Sequence, residues 1–109
     1  MSTPEGPLVK ACLQYLGLRG IMAWRQNTGA FVGEHKGKRR FVKFSVKGAG
    51  DIFAILPDGR FWSIECKVKP NKPTYDQWSW MAQVDAAGGY TTVAYTVDDV
   101  MDALNETEK

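Results

Sequence analysis

The sequence predicts a single α/β domain, and three observations carry that prediction. Residues 50–67, GDIFAILPDGRFWSIECK, read as two strands with apolar residues on both faces, as in a central sheet layer covered on both sides. Helix signals stand before this stretch, near the N-terminus, and after it, beyond residue 73, and a further strand and helix follow. The length of 109 residues suits one compact domain that builds a core without metal or disulfide staples.

In chain order, Ser2 or Thr3 can cap a helix whose first turn holds Pro4, Glu5 and Pro7, positions that tolerate proline and favour a carboxylate. Leu8, Cys12, Tyr15 and Leu16 recur at helical spacing, and Gly17 and Gly20 mark the end. Residues 21–25 read as a strand and residues 26–29 as a polar bend. Phe31 and Val32, then residues 41–46, suggest a hairpin with residues 34–39 at its tip. His35, the single histidine, is expected to be solvent-exposed on that tip and receives no catalytic role.

Within residues 50–67, Pro57 presets φ for a type I turn, Asp58 suits the next position, and Gly59 can take the left-handed conformation that follows. A three-residue loop, 57–59, is the expectation, with Leu56 facing Arg60 and therefore Asp51 facing Glu65. Side-chain alternation puts Asp51, Phe53 and Ile55 on a face with Phe61, Ser63, Glu65 and Lys67, and puts Ile52, Ala54, Leu56, Trp62, Ile64, Cys66 and Val68 on the other.

Residues 69–73 form a proline-punctuated link. Thr74 and Gln77 fit a capping box that opens a helix to about Ala87. Trp80, Val84 and Ala87 occupy one stripe of it, with Trp78, Met81 and Ala82 adjoining, and such aromatics read as core. Gly88 and Gly89 stop this helix, residues 90–95 form a strand, Thr96 with Asp99 caps a last short helix, and residues 105–109 are expected to fray.

Two carboxylates facing each other in a buried sheet repel and lose hydration. A hard divalent cation compensates best, and Mg²⁺ favours carboxylate and carbonyl oxygens. The same D…ExK pattern is also readable as Lys67 pairing with Glu65 or Asp51 at a sheet end.

Composition adds limits. Nothing approaches the length of a membrane span and the N-terminus lacks a signal-peptide pattern, so a soluble, intracellular, cytoplasmic protein without membrane partners is expected. Cys12 and Cys66 fall on apolar faces as free thiols, and no Cys/His spacing suggests zinc. Net charge is only +2, but residues 36–47 hold Lys36, Lys38, Arg39, Arg40, Lys43 and Lys47 with no acid. That stretch reads either as a solvated loop or as a phosphate-contacting patch.

With these residues in order, the chain resembles the PD-(D/E)xK nuclease superfamily, and within it a small stand-alone VRR-NUC domain. The resemblance rests on Glu5, Arg19-Gly20, residues 24–29 (WRQNTG), Gly50-Asp51, Glu65-Cys66-Lys67, Thr74-x-x-Gln77-x-x-Trp80 and Gly88-Gly89. One departure is visible, since the superfamily's usual proline before the aspartate is Gly50 here.

The resemblance implies a restriction-endonuclease-like fold, a central mixed β-sheet flanked by helices with an αβββαβ core, across residues 1–109 as one nuclease domain. It implies Asp51 and Glu65 as metal ligands, the Cys66 carbonyl as a further oxygen, and Glu5 as a direct or water-mediated one. Lys67 would orient the attacking water, and Gln77 would position water or substrate beside the site. Mg²⁺ is the implied cofactor, with Mn²⁺ able to substitute, and a 5′-phosphate the implied product.

The expected activity is structure-selective DNA endonuclease cleavage, at branched DNA such as four-way junctions, by a homodimer whose two-fold axis matches paired scissile strands. Lys36, Lys38, Arg39 and Arg40 would contact backbone phosphates. The alternative is a nucleic-acid- or partner-binding module that kept the fold and lost the chemistry.

Overall fold

The computed structural model describes residues 5–26, 30–35, 38–43 and 47–109, the two middle segments as backbone. The described elements are α1 (Gly6–Leu18), β1 (Met22–Arg25), β2 (Ala30–His35), β3 (Lys38–Lys43), β4 (Ile52–Ile55), β5 (Phe61–Cys66), α2 (Tyr75–Ala86), β6 (Tyr90–Ala94) and α3 (Val97–Thr107). One sheet has the order β1-β4-β5-β6, and β2 pairs with β3 in a separate antiparallel sheet. β4 runs antiparallel to both β1 and β5, whereas β6 is parallel to β5. A parallel return needs a crossover, and α2 supplies it. The result is the expected α/β architecture, a mixed sheet flanked by helices, with α1, β1, β4, β5, α2 and β6 as the αβββαβ core.

The sheet's two faces are covered differently. Ile52, Ala54, Leu56, Trp62, Ile64 and Cys66 are each at most 2% exposed. They pack with Val9, Cys12 and Leu16 of α1 and with Val100 and Leu104 of α3. Trp62, the largest of these side chains, still places its indole N–H 2.9 Å from Thr92 Oγ1, so burial strands no polar atom. The other face carries α2. Met81 and Val84 of that helix are buried, and Trp80 stacks on Phe53 at 5.7 Å and meets Phe61 edge-on at 6.4 Å.

Several local expectations are corrected. Glu5 is the N-cap of α1 rather than a first-turn residue, its side chain makes no capping bond, and Ser2, Thr3 and Pro4 lie outside the described residues. Gly17 is inside α1, and the helix ends through Arg19 and Gly20. Strand pairing in the β2–β3 hairpin extends to His35 opposite Lys38, so Glu34, His35, Lys38 and Arg39 belong to strands rather than to a loop. Residues 27–29 of the polar bend and 44–46 of the second strand lie outside the described residues. On α2, Ala82 and Ala87 are exposed and Trp78 is 54% exposed, because Met81 and Val84 turn toward the sheet instead. Val68, two residues past β5, is also exposed. The C-terminal residues continue α3 to Thr107, and Glu108 holds Arg19 at 2.8 Å.

Candidate functional site

The site starts from the turn. Asp58 accepts from the Arg60 backbone N–H at 3.0 Å and from its Nε at 2.8 Å, while Leu56 and Gly59 close the loop through backbone bonds of 2.9 and 2.8 Å. Gly59 has φ +90°, the left-handed conformation the sequence calls for. The register that follows pairs Ile55 with Phe61 and Ile52 with Ile64, as expected. Asp51 stands just before β4, beyond the last ladder pair, so the expected direct pairing of Asp51 with Glu65 is not part of the sheet register. The Asp51 N–H donates to Ile64 O at 2.9 Å, its carbonyl accepts from Gln26 N–H at 2.8 Å, and its Oδ2 accepts from Cys66 N–H at 2.8 Å.

The Glu65 side chain, whose carboxyl feels the Asp51 charge, is 4% exposed. Its Oε1 accepts from Gln77 Nε2 at 2.9 Å and lies 3.9 Å from Lys67 Nζ. Burial pushes the Glu65 carboxyl up to about 8, and the adjacent Asp51 charge and a hydrogen bond to Asp51 push the same way, against the Lys67 ammonium. Glu5 adds a smaller push of the same sign. Glu65 in this form therefore keeps its proton near neutral pH, and the pair of carboxyl groups holds less negative charge than two free carboxylates.

Gln77 completes the expected capping box and also reaches the acid pair. Its Oε1 accepts from Thr74 N–H at 2.8 Å to complete the capping box, and its Nε2 reaches Glu65. A carboxamide held at both ends fixes the orientation of the Glu65 carboxyl.

Further contributors to the site act through contacts distant in sequence. A Cβ on Gly48 would stand 2.2 Å from the Asp76 carbonyl oxygen, and one on Gly50 would stand 2.4 Å from Ser63 Oγ and 3.0 Å from Ile64 O. Residues 48–50 thus press backbone against the first turn of α2 and against β5, which sets the approach into Asp51. Lys47 fastens the same contact through Asp76 at 3.2 Å. Ser63 cannot swing aside freely, because its Oγ accepts from Trp80 Nε1 at 2.8 Å. The departure at Gly50 acquires a physical reason, since any side chain there meets β5.

The fold gathers Asp51, Glu65, Cys66, Lys67 and Gln77. Glu5 stays at the α1 N-cap, where its charge is felt by Glu65, yet among the described residues no three His, Cys, Asp or Glu side chains cluster as a metal site. The two carboxyls that do meet offer hard oxygen donors, the chemistry that Mg²⁺ accepts while keeping several waters. The Cys66 thiol is turned into the core against Cys12, and that contact and burial push it up, so sulfur takes no part. Lys38, Arg39 and Arg40 lie on β3, described as backbone, and Lys36 lies outside the described residues. No protein-family model and no curated protein matches the chain. Among the described residues no helix is long and apolar enough to cross a membrane.

Proposed function

We propose that this protein is a metal-dependent, structure-selective DNA endonuclease of the PD-(D/E)xK, VRR-NUC type, acting in the cytoplasm as a homodimer on branched DNA such as four-way junctions. The observation that carries the reading is the buried Glu65 carboxyl set against Asp51, with Lys67 Nζ at 3.9 Å and Gln77 Nε2 at 2.9 Å from one oxygen. Two acids, a cation and a fixed amide at one strand end suit phosphodiester hydrolysis better than they suit stability, because burying ionisable groups costs hydration that an apolar pair would not lose.

When bound at Asp51 and Glu65, with the Cys66 carbonyl and waters completing its shell, Mg²⁺ or Mn²⁺ supplies an acidified water and positive charge toward the phosphate. Asp51 and Glu65 hold their oxygens toward that position, Asp51 fixed by the Cys66 N–H and Glu65 by Gln77. Lys67 places an ammonium beside them, able to orient water and to offset charge developing on phosphoryl oxygens in a poorly solvated site. Glu5, whose charge acts on Glu65, would contribute to the metal's shell through a water. Lys36, Lys38, Arg39 and Arg40 would hold flanking phosphates without reading sequence.

A binding module that lost the chemistry is the second reading, favoured by the lack of a three-acid cluster among the described residues. The test incubates purified protein with end-labelled four-way junction, flap, duplex and single-stranded DNA in Mg²⁺ and in Mn²⁺, beside Asp51→Ala and Lys67→Ala. Junction cutting that both substitutions abolish is the expected outcome. Cutting of flaps or ends alone removes the junction assignment, and DNA binding without any cutting selects the module.

A further inference from the structure

The segment that leaves the catalytic strand is unusual in what it exposes. Between Lys67 and Trp78 the chain carries Lys67, Lys69 and Lys72, and its one acid, Asp76, is paired with Lys47 at 3.2 Å. In the same segment Tyr75 is 86% exposed and Trp78 54% exposed, one helical turn apart on α2. Core formation gives no reason for these rings, since Met81 and Val84 supply the buried contacts of that helix. Between them sits Gln77, whose Nε2 lies 2.9 Å from Glu65.

The preceding loop is held in place. The Tyr95 hydroxyl donates to Asn71 O at 2.9 Å, and the Lys69 ammonium lies over the Tyr95 ring at 5.6 Å. A shaped, cationic segment with two presented aromatic rings, on the helix whose Gln77 reaches Glu65, has the composition of surfaces that grip unpaired nucleic acid, where cations follow the phosphates and rings stack on bases.

We propose that Tyr75 and Trp78 form a stacking surface for unpaired bases next to the scissile phosphate, with Lys69 and Lys72 holding the strand that carries them. This rests on the nuclease reading and deepens it. Duplex DNA keeps its bases stacked internally and gains nothing from the rings, whereas a junction arm or flap that exposes bases does. Selectivity for branched or single-stranded DNA then has a local cause, in addition to any dimer geometry.

The test places 2-aminopurine, whose emission drops on stacking, in the unpaired arm of a flap and, separately, inside a blunt duplex. Both DNAs are titrated with the parent, with Tyr75→Leu/Trp78→Leu and with Tyr75→Phe/Trp78→Phe in EDTA, and cleavage is then followed in Mg²⁺. Both positions are exposed, so thermal melts of the variants should match the parent's.

The parent is expected to quench the flap probe and not the duplex probe. The leucine variant should lose the quench and bind or process the flap about tenfold or more less well through KM, with duplex binding changed less than twofold and kcat kept, while the phenylalanine variant recovers most of the loss. A parent that cuts DNA while the leucine variant stays unchanged, or loses flap and duplex binding alike, overturns the stacking surface and leaves the nuclease standing. A leucine variant that turns a dimer into a monomer assigns the rings to a second copy of the chain and also overturns it. A parent that neither binds nor cuts any DNA removes the nuclease reading, and the stacking surface with it.

Discussion

At the scale of single residues, the behaviour of the site follows from one proton. The Glu65 carboxyl holds it up to about 8 in the folded protein, against an ordinary value of 4.5. Between those values the folded state binds more protons than the unfolded one, so this group's contribution to stability falls as pH rises through the window and levels off above it. Replacing Glu65 by Gln removes the titration and keeps an acceptor for Gln77. In EDTA, Glu65→Gln should gain stability relative to the parent from pH 5 to pH 8 in urea melts, and a constant difference across that range would refute the assignment.

Gln77 makes the complementary case. Gln77→Ala releases the Glu65 carboxyl and leaves the Thr74 N–H to solvent; if Glu65 holds a metal as proposed, cleavage should fall about 10- to 100-fold, the usual effect of losing a partner that orients a metal ligand. Its melting curve should shift only as far as the loss of a helix cap allows, about 0.5–2 kcal/mol. A variant with the parent's turnover would show that Glu65 needs no orienting partner.

At the scale of elements, what a sequence shows depends on whether the determining contact is local. The hairpin register was legible because Pro57-Asp58-Gly59 fixes the turn and the two-residue period then fixes every pair from Ile55 with Phe61 to Ile52 with Ile64. Both capping boxes were legible for the same reason, since Thr74 with Gln77 and Thr96 with Asp99 each fall within one turn. The facing of α2 was not. Apolar residues flank the helix on several sides, and only docking on β5 and β6 selects Met81 and Val84 while leaving Trp78, Ala82 and Ala87 outside.

Long-range backbone contact was likewise invisible. Gly50 owes its identity to Ser63 and Ile64, thirteen and more residues away, and nothing in its own neighbourhood announces this. Gly50→Ala should cost about 1–3 kcal/mol in urea unfolding by overpacking, with cleavage reduced because Asp51 follows directly. Gly50→Pro should be at least as damaging. Unchanged stability in both would mean that the close approach relaxes at no cost.

At the scale of the molecule, the two faces of the sheet divide the work. The face toward α1 and α3 is apolar and closely filled, with Trp62, Ile52, Ile64, Leu104, Val100 and Leu16 all shielded from solvent. The face toward α2 includes the buried Glu65 and Ser63, which hydrogen bonds from α2 hold, and it ends in exposed cations and rings. Stability should therefore be concentrated on one side and chemistry on the other, and the two should be separable by substitution. Leu104→Ala on α3 removes a buried side chain with no path to the carboxyl pair except through the core. It should lower unfolding free energy by about 2–5 kcal/mol. Below its lowered melting temperature the variant should keep the parent's cleavage rate and Mg²⁺ dependence, because Asp51, Glu65, Lys67 and Gln77 are tied by bonds among β4, β5 and α2. A loss of turnover in a still-folded Leu104→Ala protein, checked by circular dichroism at the assay temperature, would show instead that packing under the sheet tunes the position of the acids above it.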